Sequence, residues 1–157
     1  MKTKNTFIFF LIFLISLSAC GFKSMNQLKK KSYFIQQIEL SGDKRIGYLI
    51  KNEILLSSSA NAEKTIDVNL IVNKKKEIKE KNISGKITSY MITLNVDLSI
   101  VNVMSKKKIK KRFTKSNSYS VANNHSDTIS NEKNTLGSLA ETITGDIINF
   151  LTMYLNN

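Results

Sequence analysis

Apolar positions change their period repeatedly along this chain, and each change predicts an element. From Tyr33 to Leu40 the density of β-branched and aromatic residues predicts a strand, with Phe34, Ile38 and Leu40 on one face and Tyr33, Ile35, Gln37 and Glu39 on the other. Ser41-Gly42-Asp43 then reads as a turn that opens a helix, Ser41 or Asp43 being placed to cap free backbone N–H groups. Ile46, Leu49, Ile50 and Ile54 follow at i, i+3, i+4 and i+8, which predicts an amphipathic helix to about Leu56, ended by the small polar run from Ser57 to Ala62.

Strand periodicity returns where Ile66, Val68, Leu70 and Val72 alternate with Asp67, Asn69 and Asn73. The dozen residues from Lys74 to Gly85 are charged and read as a connection, long for a hairpin loop. The cleanest alternation is Tyr90, Ile92, Leu94, Val96, Leu98 and Ile100 against Ser89, Thr93, Asn95, Asp97 and Ser99. It predicts a long strand with one polar face, suited to an antiparallel sheet backed by helices. The basic run Lys106 to Arg112 suits a turn into a fourth strand, Ile109 to Val121, rich in Ser and Thr. Residues 122–134 are polar and read as a loop, and Leu136, Leu139, Ala140, Ile143, Ile147, Phe150, Leu151 and Tyr154 mark a closing helix capped near Thr135.

The order strand, helix, three strands, helix predicts a single α+β domain over residues 33–157. It is a two-layer sandwich in which an antiparallel or mixed four-stranded sheet is covered by two helices.

Upstream of this domain the pattern is different. Lys2 and Lys4 precede an apolar run from Phe7 to Leu17, the charged and apolar regions of a secretory signal peptide. The run is about 11 residues against the roughly 20 that span a bilayer. Leu17-Ser18-Ala19-Cys20 is the lipobox pattern read by the bacterial lipoprotein pathway. Residues 1–19 are therefore the expected leader, and Cys20 the expected first residue of the mature chain, acylated on sulfur and amine. Several acyl chains hold a protein on a membrane essentially permanently, at about 0.8 kcal/mol per buried CH₂. Gly21 follows the cysteine where an aspartate commonly retains such proteins in the inner membrane, so the expected destination is the outer membrane. Residues 20–32 show no sustained period and read as a lipidated tether.

Composition narrows the chemistry. Cys20 is the single cysteine, so a disulfide, a thiolate metal site and a cysteine nucleophile are all excluded. Lys and Arg number 24 against 12 acidic residues, a formal +12, and only Lys2 and Lys4 of the basic residues lie in the leader. Such a balance points to phosphate-bearing partners, of which the export signal disfavours nucleic acid and leaves anionic lipid or phosphorylated glycolipid. Part of the excess reflects a composition rich in Lys, Asn and Ile, with no Pro or Trp. The lone His125 lacks a carboxylate, serine or cysteine constellation, and no phosphate loop, dinucleotide glycine pattern, metal cluster or triad occurs. The expectation is a binding or assembly module, with no enzyme activity and no cofactor.

Several segments together resemble the LptE family, the lipopolysaccharide-assembly lipoproteins of the Gram-negative outer membrane. The likeness starts at Cys20-Gly21-Phe22 and continues through Arg45-Ile46-Gly47-Tyr48-Leu49-Ile50-Lys51-Asn52 in the first helix. It extends over the long strand opening at Ser89-Tyr90, the segment Lys111-Arg112-Phe113 ending in Ser118-Tyr119, the Ser126-Asp127 loop and the closing helix. Order and length carry the match more than any single residue.

The resemblance implies a plug inside the wide β-barrel of LptD, assisting assembly of that barrel and delivery of lipopolysaccharide to the outer leaflet. Lipid A phosphates would pair with Lys and Arg through charge-assisted hydrogen bonds. The candidate contacts are Lys81 and Lys86 beside the start of the long strand, and Lys106, Lys107, Lys108 and Arg112 at its far end. Family members place a basic residue just before that strand; here Asn82-Ile83 stands there, and Lys81 or Lys86 substitutes by proximity. The polar face of the strands suits either solvent or the water-lined lumen of a large barrel. Competing expectations are a lipid-anchored module that binds anionic glycolipid or peptidoglycan without a barrel partner, and a surface-exposed structural lipoprotein.

Overall fold

The structure is a computed structural model and describes residues 33–156. The expected leader, the acylation site Cys20 and the tether lie outside the described residues. In chain order the elements are β1 (Tyr33–Gly42), α1 (Lys44–Leu56), β2 (Lys64–Lys81), β3 (Ile87–Asn102), β4 (Lys108–Ser120) and α2 (His125–Asn156). They form a mixed four-stranded sheet in the order β1-β2-β3-β4, with β1 parallel to β2 and the other pairs antiparallel. This is the expected α+β sandwich.

β1 departs from simple alternation. A register shift between Ile35 and Gln37 inserts Gln36 as an unpaired residue opposite β2. One extra residue exchanges the two faces of a strand. Tyr33 and Ile35 are therefore buried before the shift, and Ile38 and Leu40 pack against the core after it. The expectation of Phe34 sharing a face with Ile38 and Leu40 is corrected accordingly: a period-two reading cannot locate a bulge.

Gly42 ends β1 with φ +85°, a left-handed conformation, and a Cβ there would stand 2.1 Å from the Val72 carbonyl oxygen. Only glycine meets both conditions. Asp43 then caps α1, its Oδ1 accepting from the Ile46 N–H at 3.2 Å. Ile46, Ile50 and Ile54 turn inward onto β1 and β2, whereas Leu49, expected on the same face, lies about 60° beyond Ile46 around the helix and is exposed. The helix stops at Ser57, whose Oγ donates to the Ile54 carbonyl at 2.6 Å and meets the Tyr33 hydroxyl at 2.5 Å.

The charged connection expected over residues 74–85 is strand as far as Lys81, and the turn shrinks to residues 82–86. Each residue of Lys74–Ile78 pairs with a residue of β3 between Tyr90 and Leu94. Lysine is a poor strand former alone, but strand preference depends on the surface it pairs with, and β3 supplies a long template. β3 buries Ile92, Leu94, Val96, Leu98 and Ile100 along its helix-facing side.

α2 begins at His125, ten residues before the expected cap at Thr135. Asn124 is the residue that starts it, its Oδ1 accepting from the Asp127 N–H at 2.7 Å, while Asp127 sits favourably in the first turn. The polar first turns left no apolar stripe in the sequence. Further on, Leu139, Ala140, Ile143, Ile147, Leu151 and Leu155 cover the sheet at three- and four-residue spacing. Thr144 is buried among them and satisfies its hydroxyl on the Ala140 carbonyl at 2.7 Å. Lys64 Nζ donates to the Leu155 carbonyl near the end of the helix.

Candidate functional site: an uncovered polar sheet between two basic ends

Both helices lie on one side of the sheet, because the buried positions of β2 and β3 are Ile66, Val68, Leu70, Val72 and the even-numbered residues Ile92 to Ile100. The opposite side carries no described element. It is built of registered rows: Glu39, Asn69, Ser99 and Lys110 cross the four strands, followed by Ile71, Asp97 and Arg112, then by Asn73, Asn95 and Thr114, and by Lys75, Thr93 and Ser116. Many side chains satisfy one another. Asn69 Nδ2 donates to Glu39 Oε2 at 3.1 Å, Thr114 Oγ1 to Asn95 Oδ1 at 2.8 Å, and the Thr93 and Ser116 hydroxyls meet at 2.8 Å. Shallow depressions of about 500 and 400 Å³ run across it near Ile71, Ser99 and Lys110. Asp67 Oδ1, buried in that region, has no hydrogen-bond partner among the described residues. A face of this kind can exchange hydrogen bonds with another polar surface.

The six basic candidates do not converge. Lys81 and Lys86 flank the β2–β3 turn, and Lys106, Lys107 and Lys108 lie at the β3–β4 turn. β3 separates the two groups, a distance of roughly 50 Å at 3.3 Å per residue. The turns themselves are alike: Asn82 Oδ1 accepts from the Lys86 N–H at 2.9 Å, and Asn102 Oδ1 from the Met104 and Ser105 N–H groups at 3.0 and 2.9 Å. The left-handed position falls on Gly85, φ +78°, in the first turn and on Lys106, φ 56°, in the second. Each tip also exposes one large apolar residue, Ile83 and Met104. The ammonium groups of these five lysines are exposed and enter no ion pair with the described residues.

Arg112 behaves differently. Register places it opposite Asp97, and its guanidinium grips that carboxylate with Nε–Oδ1 2.5 Å and Nη2–Oδ2 3.0 Å. The Arg112 hydrogen bond holds the Asp97 carboxyl below its ordinary value, and the same contact raises Arg112. A phosphate at this position would have to compete with Asp97. His125 is the exposed first residue of α2, and no described group makes it a base.

Sequence reasoning missed one cluster on the helix side. Glu132 Oε2 accepts from Lys76 Nζ at 2.6 Å and from the Tyr119 hydroxyl at 2.8 Å, while Lys74 stands 3.9 Å from Oε1. Lys76 Nζ also lies 4.3 Å from the Tyr90 ring centroid, and Tyr90 stacks on Tyr119 at 5.7 Å. The Lys76 hydrogen bond keeps the Glu132 carboxyl below its ordinary value, outweighing burial, with Tyr119 adding to the effect. Burial opposes charge on Lys76, but its hydrogen bonds to Glu132 and Tyr119 raise its pKa on balance. Burial pushes Tyr119 up. The only sequence signal was the tyrosine pair at the ends of facing strands; Glu132 lay in a segment read as loop.

These features define a two-layer α+β domain that shields one side of its sheet and presents the other, largely polar and interrupted by Ile71, to a neighbour or to water. Solved structures share this fold. A candidate lipoprotein of Caulobacter crescentus CB15 superposes with a TM-score of 0.57 at 18% identity, over 76% of this chain and 90% of that one. Lipoprotein B of Nitrosomonas europaea, itself uncharacterised, gives a TM-score of 0.53 at 13% identity, over 87% and 93%. No protein-family model matches the sequence, and no curated protein matches it.

Proposed function

We propose that this protein is a lipid-anchored outer-membrane lipoprotein that seats its domain in the lumen of a large LptD-like β-barrel. There it assists barrel assembly and helps deliver lipopolysaccharide to the outer leaflet. The observation that carries the reading is the uncovered face of the sheet, where four strands present hydrogen-bonding side chains suited to the polar interior of a large barrel. The lipobox ending at Cys20 supports the anchor, as does the fold shared with proteins described as lipoproteins. No helix among the described residues is long and apolar enough to cross a membrane. The domain's role is binding and assembly without catalysis. Lipid A phosphates meet Lys106, Lys107 and Lys108 at one end, or Lys81 and Lys86 at the other, with Arg112 held in reserve by Asp97.

Affinity purification of the tagged lipoprotein from detergent-solubilised outer membranes tests this. A β-barrel protein should co-elute in stoichiometric amount through high salt, and Thr93→Lys with Asn95→Lys on the open face should abolish its recovery. Lipoprotein recovered alone would refute the plug. The uncommitted lysines at the turn ends favour a second reading, a module that binds anionic glycolipid without a barrel; recovery with lipopolysaccharide but no protein would establish it.

A further inference from the structure

β4 is the last strand of the sheet, and no described strand lies beyond it. Which way its backbone groups point follows from the two ends of its pairing with β3: the Asn102 N–H bonds the Lys107 carbonyl at 3.0 Å, and the Val121 N–H bonds the Thr88 carbonyl at 2.9 Å. The register between these ends is unbroken, so odd-numbered residues of β4 turn their N–H and C=O groups to β3 and even-numbered ones turn theirs outward. Two outward groups near the end of the strand are satisfied locally: the Ser118 N–H donates to Asn117 Oδ1 at 2.8 Å, and the Ser120 carbonyl accepts from Asn131 Nδ2 at 3.1 Å. From Lys110 to Ser116 the outward groups meet no described residue. An open row of this kind is a template for another strand.

The side chains along this edge select what that strand carries. On the open face of the sheet stand Lys108 and Lys110, exposed and without an ion pair among the described residues. On the helix side a groove of about 530 Å³ opens between β4 and α2, lined by Lys111, Phe113, Phe150, Met153 and Tyr154. Phe150 stacks on Tyr154 at 5.9 Å and meets Phe113 edge-on at 6.1 Å, while Met153 is 71% exposed. Lys111 Nζ lies 4.3 Å from the Phe150 ring centroid. A strand laid along β4 alternates its side chains between these two surfaces, acidic ones meeting Lys108 and Lys110 and apolar ones entering the groove. Pairing with the β4 of a second copy would set these lysines against one another, so the charges that guard the edge against self-association favour an acidic partner.

We propose that the free edge of β4 takes up an extended segment of a protein partner as a fifth strand, one that alternates Asp or Glu with apolar residues. Backbone bonds to Lys110, Arg112, Thr114 and Ser116 supply the affinity, and the two side-chain surfaces supply the selectivity. The added strand lies in the plane of the sheet and leaves its polar face free. It is therefore compatible with a seat in a barrel lumen and does not depend on one.

The test uses the full mature chain in detergent and a fluorescein-labelled nonapeptide that alternates Glu with Val and Phe, its binding read by fluorescence polarisation. Two further versions are N-methylated at either the odd or the even amides, which leaves charge unchanged but blocks pairing along one side of the peptide. One of the two should lose about tenfold or more in affinity, because only one side meets β4, and the same peptide with Lys for Glu should lose as much. Amide hydrogen exchange followed by NMR should slow several-fold on peptide addition at Lys110, Arg112, Thr114 and Ser116, and not at Lys111 and Phe113, which β3 already holds. Lys108→Glu with Lys110→Glu should weaken the acidic peptide and strengthen the basic one. Equal affinity of both methylated versions, unchanged exchange at those four amides, or no binding up to about millimolar peptide overturns the proposal. Unchanged affinities in the double variant overturn its charge selection.

Discussion

Replacing Glu132 by glutamine would test how the first half of α2 is held on the sheet. The carboxylate receives two hydrogen bonds, from Lys76 at 2.6 Å and Tyr119 at 2.8 Å, with Lys74 close by. A charged hydrogen bond contributes about 1.5–3 kcal/mol when desolvated. The Glu132 side chain is 24% exposed and that of Lys76 is 37% exposed, so solvent screens the pair. The two bonds together then contribute roughly 1–2 kcal/mol, or a fall of about 4–8 °C in Tm for a domain of this size. Glutamine preserves shape and removes only charge and one acceptor site.

The pH dependence provides the sharper check. The folded-state pKa of Glu132 lies below its ordinary value of 4.5, so the stabilisation is fully present above that pH and is lost as pH falls through the folded value. Urea unfolding of wild type and Glu132→Gln from neutral pH down to about pH 3 should show the gap between them closing below about pH 4.5. Other carboxylates titrate in both proteins and cancel in the difference. A gap that persists undiminished in acid, or no gap at neutral pH, would refute the assignment. In a double-mutant cycle with Lys76→Met, a coupling near zero would do the same.

Ile147 is fully buried, and Ile147→Ala should lower stability by about 2–5 kcal/mol in urea unfolding; a change below about 1 kcal/mol would mean that α2 does not close the core. Gly42→Ala should destabilise by more than about 2 kcal/mol, since φ +85° and the 2.1 Å approach to Val72 both oppose a side chain. Lys106→Gly should raise stability by about 0.5 kcal/mol by relieving its left-handed conformation, while weakening lipopolysaccharide binding if that ammonium contacts phosphate. Asp97→Asn should release Arg112 and strengthen binding of the purified protein to lipopolysaccharide, read by a binding titration at fixed salt. Unchanged affinity would remove Arg112 from the candidate contacts.

The elements whose burial follows a single period were legible in the sequence: the isoleucine face of α1, the alternation of Ile66 to Val72, the even-numbered apolar residues of β3 and the C-terminal half of α2. Each is set by neighbours within the same element, and burial of an amphipathic face follows from its period alone. That reasoning also gave the order of layers and the polar face of β3. The candidate cations were legible as residue types, but their availability was not.

The rest depended on partners distant in sequence. Lys74–Lys81 is strand because β3 offers hydrogen bonds along its whole length, which no propensity in those lysines announces. The bulge at Gln36 exists only relative to β2, yet it decides which side chains of β1 enter the core. The early turns of α2 hold through Glu132 meeting Lys76 and Tyr119, residues 56 and 13 positions away. Register likewise sets Arg112 against Asp97 and keeps the two basic ends a strand's length apart. The sequence by itself determined periodicity and charge, which are local; pairing and register came only with the tertiary structure, because they minimise the energy of contacts between segments rather than within them.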